Sequence, residues 1–395
     1  MTDLLTALLV VVSGGTILYH HVGYPLFLRW YARRHPAQNA QPGSRGYIAG
    51  VADKQLPSVT ILMPAYNEAE YIGEKIRNLA SIDYPRDKLK VLIVCDGCSD
   101  DTAQIATATI QEAICSDTFY EIINCTENRG KVALLNEFIP QVDTHLCVLS
   151  DVSALISVDA LLIAARHMQD PQVGVVGASY HLLNHQFNGE SEYWRYQQRI
   201  KQTESSLGSV LGCHGAFYLF RSELFEPLAQ DTINDDFMLP MRIIEKRFRA
   251  VYEPAMLAIE LEPTDQPADF RRRLRISAGN MQQALRLWRL FSPGRSGVAF
   301  TFFSGKGLRL LTPYFLILML ILPATHLDQW WYQLLAAAQG LFYLIALAGW
   351  LSPALRSNRI VGLVTYFVAG HSASLIGGWQ YLMSGRGWRK SQPQH

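Results

Sequence analysis

Three places in this chain put carboxylates where an apolar run ends. Val91-Leu92-Ile93-Val94-Cys95 stops at Asp96, which opens Asp96-Gly97-Cys98-Ser99-Asp100-Asp101. Leu146-Cys147-Val148-Leu149 stops at Ser150-Asp151-Val152-Ser153, and Asn234-Asp235-Asp236-Phe237 follows further on. In an α/β sheet, side chains at the strand ends point into the crevice where ligands bind. Three carboxylate sites of this kind in one domain suggest a cleft that holds a metal and a phosphorylated ligand.

The elements needed to position them follow from the hydrophobic pattern. Val59 to Met63 is a β-rich strand, Pro64 to Asn67 a turn, and Glu68 to Leu79 carries helical spacing through Tyr71, Ile72, Ile76 and Leu79. Val91 to Cys95, Tyr120 to Ile123, His145 to Leu149 and Val173 to Val176 are further strands, with helices over Asp101 to Ala113 and Lys131 to Phe138. This alternation predicts an α/β fold with a mainly parallel sheet covered on both faces. No G-x-G-x-x-G follows the first strand and no Walker-type loop occurs, so dinucleotide oxidoreductases and P-loop NTPases lose weight. Binding of phosphate must then fall to a metal and to basic side chains. Cys95-x-x-Cys98 straddles a strand end with no second pair at zinc spacing, which speaks against a zinc or redox site.

The chain has 395 residues and a net charge of +1, so no global field draws it to nucleic acid. The carboxylates are concentrated in the middle. Leu4 to about Trp30 is long and apolar enough to span a hydrocarbon core, and Asp3 stands where a signal peptide would be basic. Leu308 to Ala324, Trp330 to Leu351 and Ile360 to Met383 are three more candidate spans, with tryptophans near their ends. Arg29, Arg33, Arg34, Arg356 and Arg359 put the central domain on the cytoplasmic side by the positive-inside rule, and the six cysteines then lie in a reducing compartment. The basic tail, Arg386, Arg389 and Lys390, disagrees: four full spans place it outside, so either the tail breaks the rule or one C-terminal segment is re-entrant. Phe270, Leu274, Ala278, Met281, Leu285 and Trp288 form one helical face in an arginine-rich segment, as an interfacial helix does. Its arginines either face anionic lipid or reach the active site to hold a diphosphate, and both can hold on different sides of one helix.

With these motifs in order, the chain from about Pro57 to Gly279 resembles the membrane-bound glycosyltransferases of family 2, the group of cellulose, hyaluronan and chitin-oligosaccharide synthases. Met63-Pro64-Ala65-Tyr66-Asn67-Glu68 is similar to the family's P-x-x-N-E turn, which embraces the nucleotide; an ordinary turn with Asn67 as helix cap is the plainer reading. Asp96-Gly97-Cys98-Ser99-Asp100-Asp101-Thr102 resembles D-G-S-x-D-x-T, which assigns Asp96 to the uracil base, while Ser99 or Asp100 caps the next helix. Gly130-Lys131-x-x-x-Leu135-Asn136 resembles G-K-x-x-A-L-N and puts Lys131 near the phosphates. Asp151 and Ser153 occupy the D-x-D metal site, with serine in place of the second carboxylate; Mg²⁺ accepts one carboxylate when phosphates and water fill the rest. Gly212-Cys213-His214-Gly215-Ala216 resembles the small-residue loop of the acceptor site, with His214 either a contact or structural. Asn234-Asp235-Asp236 matches T-E-D, with Asp236 as catalytic base and Asp235 as a possible helix cap beside the acceptor. Arg272-Arg273-Leu274-Arg275-Ile276 aligns with Q-x-x-R-W, keeping the arginine as Arg275 and replacing glutamine by Arg272 and tryptophan by Ile276.

The resemblance implies a GT-A-type nucleotide-sugar-binding domain over 57–266. A membrane anchor (1–34) and a linker (35–56) precede it. Interfacial helices (267–306), a membrane region (307–384) and a tail (385–395) follow. The implied activity is inverting transfer from a nucleotide sugar, with UDP as the expected carrier, to a hydroxyl of a glycan or lipid-linked acceptor. Pro64, Tyr66, Asn67, Glu68, Asp96, Lys131, Asp151, Arg272 and Arg275 would bind the donor. Cys213, His214, Gly215 and Asp235 would line the acceptor site, and Asp151 with Ser153 would hold Mg²⁺ or Mn²⁺. The expected setting is the inner membrane, multi-pass, with a cytoplasmic catalytic domain and the bilayer as partner. The loss of the tryptophan leaves two rivals: single-sugar transfer to a lipid carrier, and a non-catalytic scaffold. Sugar, linkage and oligomeric state stay open.

Overall fold

The computed structural model describes residues 2–36, 54–183, 188–262, 266–292, 294 and 296–384. Most of the expected linker and the whole expected tail, with Arg386, Arg389 and Lys390, lie outside these residues. The chain opens with helices α1 (Thr2–Leu18) and α2 (Tyr24–Arg34), joined by a π-helical turn at Tyr19–Gly23. Eight strands follow: β1 (Val59–Ala65), β2 (Leu89–Asp96), β3 (Phe119–Cys125), β4 (Leu146–Ser150), β5 (Ala154–Ile156), β6 (Val173–Leu182), β7 (Phe217–Arg221) and β8 (Arg249–Glu260). Among them lie α3 (Ile72–Ala80), α4 (Thr102–Thr109), α5 (Lys131–Phe138), α6 (Ala160–His167), α7 (Asn188–Glu204) and α8 (Asp235–Glu245). The rest is helical: α9 (Gln266–Arg286), α10 (Ser296–Thr301), α11 (Leu308–Ala324), α12 (Trp330–Leu351), α13 (Pro353–Arg356) and α14 (Arg359–Ser384).

Two units result. One, residues 36–184 and 201–263, carries the sheet; the other, residues 1–35, 185–200 and 264–395, is helical. The sheet runs β3-β2-β1-β4-β7-β6-β8-β5. β1 is parallel to β2 and β4, β2 to β3, and β6 to β8, whereas β7 is antiparallel to β4 and β6, and β5 to β8. The central strands are buried along almost their whole length, as strands covered on both faces must be. Ile61, Val91, Val148, Val176 and Leu219 are fully shielded and form the middle of this core.

The topology sets the site. β1, β2 and β4 are parallel, so the segments after Ala65, Asp96 and Ser150 leave the same edge. β7 runs the other way, and Phe217 pairs with Ser150, so the loop before β7 arrives at that edge too. β8 ends there as well: Glu260 pairs with Ala154, and Leu261 N–H donates to Ser153 O.

Among the described residues of the helical unit, four helices are long and apolar enough to cross a membrane: Asp3–Arg34, Gly297–Ala324, Trp330–Leu351 and Arg359–Met383. One precedes the sheet and three follow it. The second begins before Leu308 because a π-helical turn, Phe302–Gly307, continues α10 into α11 without a break. Glycines let these helices meet closely. A Cβ on Gly349 would lie 2.2 Å from Thr365 Oγ1, and one on Gly377 would lie 2.4 Å from the Leu274 carbonyl. The basic helix α9 therefore packs along α14, and the Arg273 guanidinium lies 3.9 Å from the Tyr366 ring centre.

Candidate active site

The turn after β1 is fixed by cross-links to the turn after β2. Asn67 adopts a left-handed backbone (φ 54°), which asparagine tolerates better than most residues. It does not cap α3; its side chain exchanges hydrogen bonds with Ser99, donating from Nδ2 to Ser99 Oγ at 3.1 Å and accepting from Ser99 N–H at 2.9 Å. Asp100 accepts from Ala69 N–H and Thr102 N–H, both at 3.1 Å, so it ties the start of α4 to the β1 turn. Glu68 to Tyr71 form a turn rather than the first helical residues, and α3 starts at Ile72. Pro64, without an N–H, sits where β1 has passed the end of its pairing with β4. Tyr66 and Glu68 are half-buried beside it.

Asp96 is almost fully buried and accepts from the backbone N–H groups of Arg129 (3.0 Å) and Gly130 (2.7 Å). It thereby anchors the start of α5, which carries Lys131. Gly97 is obligatory at this crossing: its φ is +64°, and a Cβ would lie 2.4 Å from Asn128 N.

Lys131 is the focus of the carboxylates. Its ammonium donates to Asp151 Oδ1 at 2.7 Å and lies 3.6 Å from Asp235 Oδ2. Burial alone would lower its pKa, but Asp151, Asp235 and Asp236 outweigh that and hold it above the usual lysine range. Asp151 is the mirror case: burial would raise its carboxyl, and Lys131, His214 and Lys75 pull it below the ordinary value. Asp236 is raised, first by burial and then by Asp235, against the opposing charges of Lys131 and Lys201.

Gly215 brings these groups to one point. A Cβ there would lie 3.2 Å from Asp151 Oδ2 and 3.6 Å from Asp236 Oδ2, so the glycine leaves the space between the two carboxylates open. The rest of its loop is clamped. Cys213 N–H donates to Asp236 O at 3.1 Å, and Gly212 (φ +62°) abuts the Phe237 ring. The Cys213 side chain turns away toward Gly177 of β6. His214 stacks on Tyr180 (3.6 Å between centroids, 16°), and its Nδ1 accepts from Ala216 N–H at 3.2 Å. The N-cap of α8 is Asn234, so Asp235 does not fill that position; it faces Lys131 instead.

Two residues beyond the motifs belong here. Lys75 of α3 is completely buried; its ammonium donates to Ser150 Oγ at 2.7 Å and to Ala154 O, bracketing the turn that carries Asp151 and Ser153. Burial lowers its pKa to about 7 against the pull of Asp151 and Glu260. Its signal in the sequence was a lysine on the apolar face of α3, between Ile72 and Ile76. The second is Glu260, which with Glu262, Asp151 and Asp100 adds to burial in raising Glu68 to about 7.

Asp151 is the one carboxylate of the Asp151-Val152-Ser153 stretch, and Ser153 is buried. Among the described residues, no group of three His, Cys, Asp or Glu side chains could hold a metal ion by itself. The donor set fits a cation that takes most of its ligands from a diphosphate and water. Arg272 and Arg275 lie on α9 of the helical unit, Arg275 exposed and Arg272 half-buried; Ile276 is exposed.

Comparison with known proteins gives this arrangement a family. Residues 57–279 match the family described as glycosyltransferase like family 2. The chain is similar to poly-beta-1,6-N-acetyl-D-glucosamine synthase of Staphylococcus aureus strain COL, 25% identical over 240 residues, or 59% of this chain and 57% of that one. The Staphylococcus epidermidis enzyme of the same name is 24% identical over 254 residues, 62% of this chain and 60% of its own. The chain thus spans about three fifths of the length of these curated relatives. Among solved structures, the mannosyltransferase PcManGT of Pyrobaculum calidifontis, in complex with GDP-Man and Mn²⁺, has the same fold, with a TM-score of 0.67, 24% identity, and coverage of 93% of this chain and 99% of that one.

Proposed function

The chain belongs to glycosyltransferase family 2 and is a glycosyltransferase with polysaccharide synthases among its relatives; we propose that it transfers a sugar, with inversion, from a UDP sugar to a hydroxyl of a glycan or lipid-linked acceptor at the inner membrane. The domain division expected from the sequence is part of this reading, with residues 57–266 as the catalytic domain on the cytoplasmic side, in line with Arg29, Arg33 and Arg34.

The observation that carries the proposal is the convergence of Lys131, Asp151 and Asp236 around the open space at Gly215. Asp236 takes the proton of the incoming hydroxyl; its raised pKa makes it a better base than an ordinary aspartate. Lys131 leaves Asp151 for the diphosphate as the donor enters, and its charge then stabilises the departing nucleotide. Asp151, with Ser153, would hold Mg²⁺ or Mn²⁺, and the cation would supply Lewis-acid neutralisation of the leaving diphosphate. Asp96 keeps the Arg129–Gly130 backbone in place and retains lone pairs for a base N–H. Pro64, Tyr66, Asn67 and Glu68 line the nucleotide side, and Cys213, His214, Gly215 and Asp235 the acceptor side. Arg272 and Arg275 carry the guanidinium fork that suits a diphosphate.

The proposal is tested by product analysis with labelled nucleotide sugars in the presence of Mg²⁺ or Mn²⁺. Formation of an inverted glycoside from a UDP sugar supports it. Transfer only from a GDP sugar, or with retained configuration, overturns the donor or the stereochemical assignment.

A further inference from the structure

We propose that the helical unit contains a binding site for the phosphate group of a lipid, formed by His20, His21, His371 and Arg309, separate from the donor site. Two π-helical turns face each other here. Tyr19 and Ser304 hydroxyls lie 3.0 Å apart, and His20 Nδ1 donates to the Ser304 carbonyl at 2.7 Å. A π turn widens the helix, and such turns are frequent at functional sites. This one sets two adjacent histidines toward α14. The His21 ring meets His20 at 4.6 Å and His371 at 5.3 Å, both edge-on, and Phe367 closes the group 4.4 Å from His371.

His20 and His371 are each only 9% exposed. His21 Nε2 and His371 Nδ1 are shielded from solvent and make no hydrogen bond. A buried polar atom left in this way carries its full desolvation penalty, so two together point to a missing partner. The partner's charge follows from the neighbours. Arg309 is near enough for its charge to act on all three rings. No aspartate or glutamate occurs in Leu4–Arg34, Gly297–Ala324 or Arg359–Ser384, so these helices offer the rings no anion of their own. Ionisable groups inside membrane-spanning helices mark functional sites more often than structural ones. A metal is disfavoured, since no three such side chains among the described residues are arranged to ligate one. A phosphate brings both the negative charge and several acceptor oxygens that ring N–H groups and a guanidinium can share, and the bilayer surrounds the unit with lipids that carry one.

The test is native mass spectrometry of the full chain after delipidation, with three additions: phosphatidylglycerol, a polyprenyl monophosphate, and inorganic phosphate. Diacylglycerol serves as the phosphate-free control. Wild type should hold one equivalent of one of the two lipid phosphates, and which one names the source. The His21→Phe/His371→Phe variant and Arg309→Gln should each lose at least ten-fold in retention, with unchanged circular dichroism. Equal retention of diacylglycerol and phosphatidylglycerol by wild type would overturn the proposal without any variant. So would binding of inorganic phosphate alone, or undiminished lipid retention in both variants.

Discussion

Lys131 and Asp151 form a direct ion pair, Nζ to Oδ1 at 2.7 Å, at the edge where the strand-end segments meet. The lysine arrives on α5, whose start is held by Asp96, and the aspartate on the turn after β4, held from behind by Lys75. The pair neutralises a carboxylate that would otherwise stand beside Asp235 and Asp236. Removal of Lys131 leaves Asp151, Asp235 and Asp236 as like charges with this cation gone. Lys131→Met should therefore raise the Asp151 pKa, since that lysine's charge is the main force lowering it. The acid limb of UDP binding should move to higher pH, and UDP affinity at neutral pH should fall about ten-fold or more, as read by isothermal titration calorimetry.

Asp236 has its own signature in the pH–rate profile. Its folded pKa is raised by burial and by Asp235, so the base form is lost as pH falls at a higher pH than for a free aspartate. kcat/KM should decline on the acid side above that ordinary value. Asp235→Asn removes the neighbouring charge and should shift the limb to lower pH. Asp236→Asn should abolish the limb and reduce kcat by about 10²–10⁴, with UDP affinity nearly unchanged.

Lys75 touches neither of these carboxylates by a hydrogen bond, yet it fixes the turn that presents Asp151. Lys75→Met leaves the Ala154 carbonyl without this donor and frees the turn. Supporting groups of this kind are worth about 10–100-fold at metal sites. Donor KM should rise by that order, kcat should fall less, and circular dichroism should stay unchanged. An equal fall in kcat with KM constant would assign Lys75 to general stability instead.

Much of this was legible in the sequence, for identifiable reasons. Runs such as Val91–Cys95 and Leu146–Leu149 are too apolar to be anything but buried, so β2 and β4 and their terminal aspartates could be placed. The later strands were harder. β7 lies directly after a loop, and β8 alternates apolar residues with Glu253 and Pro254, so its long pairing with β6 has no local signal. Lys75 was hidden because a lysine on a helix is ordinarily solvent-facing; only the sheet, which is non-local, buries it. Asn67 was open to two readings, and the left-handed turn that links it to Ser99 depends on a loop thirty-two positions away. The acidic company of Glu68 likewise arises from the end of β8, far along the chain.

Glu68 offers a thermodynamic check independent of turnover. Its folded pKa is about 7 against 4.5 for the free group. Between these values the folded state holds a proton that the unfolded state has lost, so this residue makes stability fall as pH rises from 4.5 to 7, after which its effect is constant. Glu68→Gln removes the effect. In thermal unfolding, the variant should match wild type near pH 4.5, gain on it steadily to pH 7, and keep a constant advantage above that.

The central claim is that Asp151 and Asp236 serve donor binding and base catalysis in one transfer reaction. The most direct measurement is UDP release by purified wild type, Asp151→Asn and Asp236→Asn across a panel of nucleotide sugars with added Mg²⁺ or Mn²⁺. The expected result is acceptor-dependent release by wild type with one UDP sugar. Asp236→Asn should bind UDP but not turn over, and Asp151→Asn should lose both metal dependence and donor affinity. Equal release by all three proteins would contradict the account.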